Sequence, residues 1–374
     1  MTASTPCRSC GSTLLTTVLD FGAQPPSDLF PPAQSPASED PRWPLVLATC
    51  ERCFLLQLTG DEIAVPEMPL AVESATSKQH AVDSAAWLAD FLQLSEGSTF
   101  REIHSAHGGS WAPALENLGL RPLDSGRADL VVDVHGLIHD YDLDGALGHR
   151  TSQVAAGGHL VLEFHHALEL VRHRQFDTIR HGHPVYLSLT ALKPALERRG
   201  LRMMAARPAP VYGGSLILIA AAAGEPDPTI GRLLAQERDA GLDCPQTLQG
   251  LQHELLDAMR SLHDWLLERR AAGRRVLGYG APSKAPVLLN LAGVGPDLLA
   301  FTVDLSQAKQ GRRLPVTGIP IRSPAELIAA TPDDVLVFTW DIATEVIRYL
   351  NEHGMGPVEY YAPLPRPRRL TGWG

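Results

Sequence analysis

Apolar and polar positions alternate in three regimes along this 374-residue chain. Up to about residue 58 the pattern is short and broken. The stretch holding Pro25, Pro26, Pro31, Pro32, Pro36, Pro41 and Pro44 is too rich in proline for helices and predicts loops and short strands, with Phe54 to Leu58 extended. From about Ser77 to Leu94 the residues Ala81, Val82, Ala85, Leu88, Ala89 and Leu92 recur at helical spacing. A strand, a glycine loop and a helix are then expected from Phe100, buried strands at Ala128 to Val134 and Gly157 to Phe164, a helix over most of Val185 to Gly200, and an apolar strand at Leu216 to Ala222. This alternation predicts a parallel sheet flanked by helices. Gly224 to Pro228 interrupts it. A long helix over Leu248 to Ala272 then leads into Arg275–Gly280, a strand running into a glycine turn, with further strands at Leu299 to Val303 and Val335 to Phe338 and a helix at Ile342 to Glu352. The tail from Pro363 reads as a docked strap. The expected architecture is α/β: a small lobe over 1–70, a first Rossmann-like domain over 71–225 and a second over 226–374.

Charge and cysteines narrow the function. Thirty-two basic against 42 acidic residues leave −10, so no general attraction to nucleic acid or anionic membrane is expected. No apolar run approaches the ~18 residues of a membrane span, and the start of the chain lacks the pattern of a signal peptide, which points to a cytoplasmic protein. Four of five cysteines form two identical pairs, Cys7-Arg-Ser-Cys10 and Cys50-Glu-Arg-Cys53, separated by 39 residues. Two such hairpins complete the closed tetrahedron of a structural zinc site, whereas a redox motif needs only one pair. Cys244 reads as an ordinary free thiol.

At this point the chain resembles a known family, the C-methyltransferases of deoxysugar biosynthesis, in which a zinc lobe, a domain binding S-adenosylmethionine (SAM) and a sugar-binding domain follow one another. The resemblance rests on Cys7 to Gly11, Pro44 to Cys53 and Leu56–Leu58 at one end. At the other it rests on Gly278-Tyr279-Gly280-Ala281, Lys284, Leu288–Asn290, Asp304, Lys309-Gln310-Gly311, Leu314-Pro315, Ile319–Ile321 and Trp340-Asp341, where Trp-Asn is usual. It implies a nucleotide-sugar substrate, commonly a dTDP sugar, contacted by Gly278, Tyr279, Gly280, Lys284, Asn290, Asp304, Lys309 and Gln310. A glycine turn after a strand offers backbone N–H groups to phosphate, and Lys309 adds a charge.

The middle domain departs from the resemblance. The family's SAM loop, Glu-Ile-Gly-Ser-Asn-Asp-Gly, stands here as Glu102-Ile103-His104-Ser105-Ala106-His107-Gly108, and the strand at Ala128 arrives roughly thirty residues early, so one or two βα units are expected to be missing and SAM binding to be weakened or lost. The family's catalytic Phe-Asp-x-Ile-Tyr-His-Glu-His stands as Phe176-Asp177-Thr178-Ile179-Arg180-His181-Gly182-His183. His183 keeps the position that resembles the base taking the proton from C3. An earlier tyrosine of the family has no counterpart in Leu70 to Ser74. Eleven of the fifteen histidines lie between His104 and His183, and His165-His166 follow a strand directly.

The expected function is therefore SAM-independent proton abstraction next to the ketone of a 4-keto nucleotide sugar, an epimerase or isomerase type of chemistry. His183 is the expected base, His181, His165 or His166 the opposing acid, and Arg180 the partner of the enolate oxygen. Three alternatives stand beside it: a working SAM-dependent C-methyltransferase, a nucleotide-sugar-binding partner protein without activity, and a second metal site formed by His165, His166, His181 and His183 with Asp177.

Overall fold

The computed structural model describes residues 5–63, 74–103 and 109–371. The expected lobe boundary near residue 70, the segment Leu70–Glu73, and His104 and His107 lie outside the described residues. Among the described residues no helix is long and apolar enough to cross a membrane.

The lobe is built on β1 (Leu15–Gln24), β2 (Trp43–Cys50) and β3 (Leu56–Leu58), an antiparallel set in which Leu15 pairs with Cys50 and Leu47 with Leu58. Six of the seven prolines sit in the β1–β2 connection, as their lack of an N–H and fixed φ favour, and Pro44 is the second residue of β2.

In the middle unit, helix Ala75–Phe91 is capped by the Ser74 side chain accepting from Ser77 N. It precedes β4 (Thr99–Ile103), β5 (Arg121–Pro122), β6 (Ala128–Val134), β7 (Val154–His165), β8 (Val185–Tyr186), β9 (Arg202–Ala209) and β10 (Ser215–Ala221). The sheet order is β5-β4-β6-β7-β10-β9. It is parallel as far as β7 and antiparallel through β10 and β9, so the expected purely parallel sheet is mixed; the last two strands are joined by a short turn, which only an antiparallel pair allows. Val185–Tyr186 is a strand rather than the start of a helix. It leaves the middle sheet and adds to the lobe, Leu56 opposite Tyr186, before Ser188 caps helix Leu189–Glu197.

After helices Pro228–Asp239 and Pro245–Gln249, the long helix Leu251–Ala271 leads into the third unit, and its Leu255 and Leu262 are fully buried in one apolar cluster with Leu19 and Leu47 of the lobe and Leu168 and Phe176 of the middle unit. Its sheet contains β11 (Val276–Tyr279), β12 (Thr302–Val303), β13 (Ile321–Arg322), β14 (Asp334–Val337), β15 (Glu359–Ala362) and β16 (Arg368–Arg369), in the order β13-β12-β11-β14-β15-β16. The strap anticipated at the C-terminal end forms β16, antiparallel to β15. Order reverses between β11 and β14, which opens a crevice beyond their carboxyl ends, the usual place for ligands in such sheets. Because the three units share a core, that end faces the end of the middle sheet.

Candidate active site and metal centre

The two CxxC turns have the same geometry. Gly11 N donates to Cys7 O and Phe54 N to Cys50 O, each at 2.9 Å, with Gly11 and Phe54 at positive φ. Cys7 Sγ lies 3.5 Å from Cys53 Sγ and Cys10 Sγ 3.6 Å from Cys50 Sγ, and all four sulfurs fall within 4.8 Å of one another. A tetrahedron with Zn–S bonds of about 2.3 Å has edges near 3.8 Å, so the four thiolates fit zinc and leave no open coordination position. Among the described residues this is the one group with metal-binding spacing, and the four histidines of the second-metal alternative point to different partners. The cysteines pack against Leu137, Ile138 and Val185, next to the Phe176–His183 segment.

A cavity of about 310 Å³ lies between the middle and third units. Ser74 and Ser77 from the first helix, His135 and Ile138 after β6, His165 at the end of β7, the Thr178–Tyr186 segment, the β9–β10 loop, and Pro282–Lys284 with Thr339 and Asp341 from the third unit line it. His183 and Arg180 are brought together: Arg180 Nη2 lies 2.7 Å from His183 Nε2. A guanidinium only donates, so this nitrogen of His183 carries its lone pair. Arg180 is buried, reaches Asp28 of the lobe at 3.4 Å, and its backbone N–H donates to the Tyr186 phenol oxygen at 3.0 Å. His139 donates from Nδ1 to Gly182 O at 2.8 Å and stacks edge-on against His183, ring centres 4.8 Å apart. His165 also faces the cavity, with Nε2 held by Gln175 Oε1 at 2.8 Å.

The structure places two of the expected acids elsewhere. Both ring nitrogens of His181 face lobe carbonyls, Pro25 O at 3.3 Å and Pro44 O at 3.2 Å, so this ring bolts the segment to the lobe. His166 lies 2.6 Å from Glu237, a fully buried carboxylate that also accepts from Leu189 N and Thr190 N and so organises the start of helix Leu189–Glu197.

Burial drives the His139 imidazole down to about 4, with the charge of Arg180 adding to it, and burial does the same to His165. Both rings remain neutral in the fold while the unfolded chain takes up protons near 6.5. Stability is therefore expected to fall as pH drops from 6.5 towards 4, and His139→Asn, which keeps a donor for Gly182 O, is expected to flatten that fall. Thermal unfolding midpoints of the two proteins across this window check it; identical slopes would contradict it.

A second hollow of about 360 Å³ lies at the β11–β14 crevice, lined by Tyr279, Gly280, Asp304, Lys309 and helix Ala343–Glu352. Gly280, at φ 92°, makes the turn a side chain would strain. Asp304 accepts from Ala281 N and Ser306 N, Lys309 Nζ donates to Ala281 O at 2.9 Å and sits 4.9 Å over the Phe30 ring, and Gln310 donates to Asp304 O. These three residues thus hold the shape of the glycine turn. Gly278 is packing: a Cβ there would lie 2.7 Å from Thr302 Oγ1. Asn290 donates to Gln24 of the lobe, and Lys284 pairs with Asp341 at 2.8 Å beside the first cavity, which accounts for the aspartate after Trp340.

Four cavity or near-cavity residues escaped the sequence reading: His135, Tyr212 and His139, and Glu163 behind His135. The usable signal was Glu163, a carboxylate inside the otherwise apolar Leu160–Phe164. Asp124, exposed just past β5, was passed over as well; it is an acidic residue at the end of the strand that follows the glycine loop.

Residues 210–365 match the family described as "C-methyltransferase C-terminal domain", and residues 7–64 match the "Putative zinc binding domain". The chain is 27% identical over 407 aligned positions, 98% of its own length and 96% of the relative's, to the C-methyltransferase NovU of Streptomyces niveus. Among solved structures, magnesium protoporphyrin IX methyltransferase from Synechocystis PCC 6803 with bound S-adenosylhomocysteine aligns at 16% identity with a TM-score of 0.31, over 39% of this chain and 84% of that one. The N-methyltransferase NodS from Bradyrhizobium japonicum aligns at 13% with a TM-score of 0.30, over 42% of this chain and all of the other.

Proposed function

We propose that this chain, which belongs to the C-methyltransferase family, takes a proton from the carbon next to the ketone of a 4-keto nucleotide sugar, a dTDP sugar by its resemblance, in the cytoplasm. The enolate is then protonated rather than methylated, so the reaction is an epimerisation. The observation that carries this reading is the Arg180–His183 contact in the cavity. Binding of the ketone gives Arg180 a new acceptor and frees His183 Nε2 to take the α-proton. The C–H electrons form the C=C bond, and the carbonyl electrons move to oxygen, where the permanent cation of Arg180 balances them. The second hollow, on the other side of the glycine turn, suits the nucleotide.

SAM supplies an electrophilic methyl group in this family, but the residues present do not fit it well. The outer strand β5 is two residues long, and only Leu123–Arg127 connect it to β6. Five residues cannot contain the further helix and strand on which the resemblance places adenosine contacts, and among the described residues the sheet ends at β5.

The second reading, SAM-dependent C-methyl transfer, is favoured by Asp124, which stands at the end of the strand where the resemblance puts the ribose-binding acid. Calorimetric titration of the zinc-loaded protein with SAM and with S-adenosylhomocysteine separates the two. No heat at millimolar ligand is the expected result. Micromolar binding, about −8 kcal/mol, would put methyl transfer first.

A further inference from the structure

Proton return to an enolate requires a donor on another wall of the cavity from the base. Neither His181 nor His166 reaches the cavity, and His165, which does, donates its Nε2–H to Gln175 Oε1 at 2.8 Å, so the donor is sought on another element.

His135 follows β6, whose Asp133 pairs with Ile103 at the end of β4, so its ring enters the cavity from the carboxyl end of the middle sheet rather than from the segment that carries His183. Its φ is +57°, a left-handed conformation uncommon for a residue with a side chain and typical of sites where surrounding structure over-determines the backbone. What fixes it is visible. Ser215 Oγ lies 3.2 Å from Nε2, Tyr212 packs edge-on at 4.7 Å, and Glu163 Oε1 stands 3.7 Å behind Nε2.

Glu163 differs from three other buried carboxylates, Asp133, Asp334 and Glu237. Asp133 and Asp334 are held by arginines, and Glu237 caps a helix, so each has an evident structural task. Glu163, with no exposed side-chain surface, faces only the imidazoles of His80, at 2.6 Å, and His135; its Oε2 has no hydrogen-bond partner among the described residues. Burial pushes its carboxyl up, yet the two imidazoles pull it down to about 2, so it is ionised. An ionised carboxylate behind a cavity-lining imidazole orients the ring and balances the charge of an imidazolium.

We infer that His135, oriented by Glu163, is the acid that protonates the enolate, which makes His183 and His135 a two-base pair working from different walls. This rests on the enolisation reading above. In the step, the His135 N–H bond breaks and its proton bonds to the α-carbon. The C=C electrons form that C–H bond while the carbonyl re-forms, His183 retains the proton taken from substrate, and both rings return to their starting states by exchange with solvent after product leaves.

The test uses full-length zinc-loaded protein and dTDP-4-keto-6-deoxyglucose in deuterated water, followed by proton NMR for deuterium at the α-carbon and for the epimer. Asparagine tolerates the left-handed backbone, so His135→Asn is expected to fold with an unchanged melting point. It is expected to exchange the α-proton within a few-fold of the wild-type rate, because His183 still works, but to form the epimer at least ~100-fold more slowly. Inversion at the wild-type rate overturns the inference. So does an equal loss of exchange and inversion, which would make His135 a support for His183. Absence of exchange in the wild type instead defeats the enolisation reading itself, and with it the role of His135.

Discussion

Asparagine at position 183 is expected to lower α-proton exchange of a 4-keto nucleotide sugar by about 10²- to 10⁴-fold, the usual worth of a positioned general base. His183 is singled out by its surroundings. Arg180 fixes which ring nitrogen holds the lone pair, and His139 fixes the plane of the ring by stacking. Asparagine can still accept from Arg180 but takes up no proton at neutral pH, so binding of the sugar should persist while turnover falls. Exchange rates measured alongside substrate affinity check this: loss of kcat with KM nearly unchanged is expected, whereas exchange within about threefold of wild type would remove His183 from the mechanism.

Removing the metal is expected to have the largest structural effect. Zinc contributes on the order of 10–16 kcal/mol in small thiolate sites, far more than a proline-rich lobe with a three-stranded core of its own can supply. The consequence reaches the cavity, because the lobe holds the Phe176–Tyr186 segment in three ways. Asp28 pairs with Arg180, the carbonyls of Pro25 and Pro44 hold His181, and β3 pairs with β8. Cys50→Ser, which replaces a fully buried ligand, is therefore expected to lower the melting point sharply, to reduce bound zinc from one per chain to none, and to abolish exchange. Elemental analysis with a thermal melt checks it. A metal-free protein that melts and turns over as the wild type does would contradict the role given to the lobe.

Much of this arrangement was legible in the residues alone, and the reasons differ from place to place. The strand at Ala128–Val134 was expected and found with the same limits, since a run of apolar residues bounded by polar ones leaves one way to be buried. The zinc site needed only the spacing of two CxxC pairs. Val185–Tyr186 was misread as helix because what makes it a strand is an edge of the lobe more than a hundred residues away, and no local pattern records that partner. Lys309, expected to offer a charge to phosphate, lines the second hollow with one of its three N–H donors on Ala281 O, a backbone contact that the sequence does not record. The histidines show the same limit. His183 and His181 were taken from the motif resemblance and His165-His166 from their place after a strand; the cavity takes in His183, His165 and also His135, which likewise follows a strand, while His166 and His181 turn away.

The most direct test of the account is whether the zinc-loaded protein moves protons on the sugar when no methyl donor is present. dTDP-4-keto-6-deoxyglucose would be incubated in deuterated water with and without SAM and the sugar weighed by mass spectrometry. A gain of one mass unit in both samples, with no methylated product in either, is the predicted result. A sugar unchanged without SAM and heavier by a methyl group with it would contradict the account and make the chain a working C-methyltransferase.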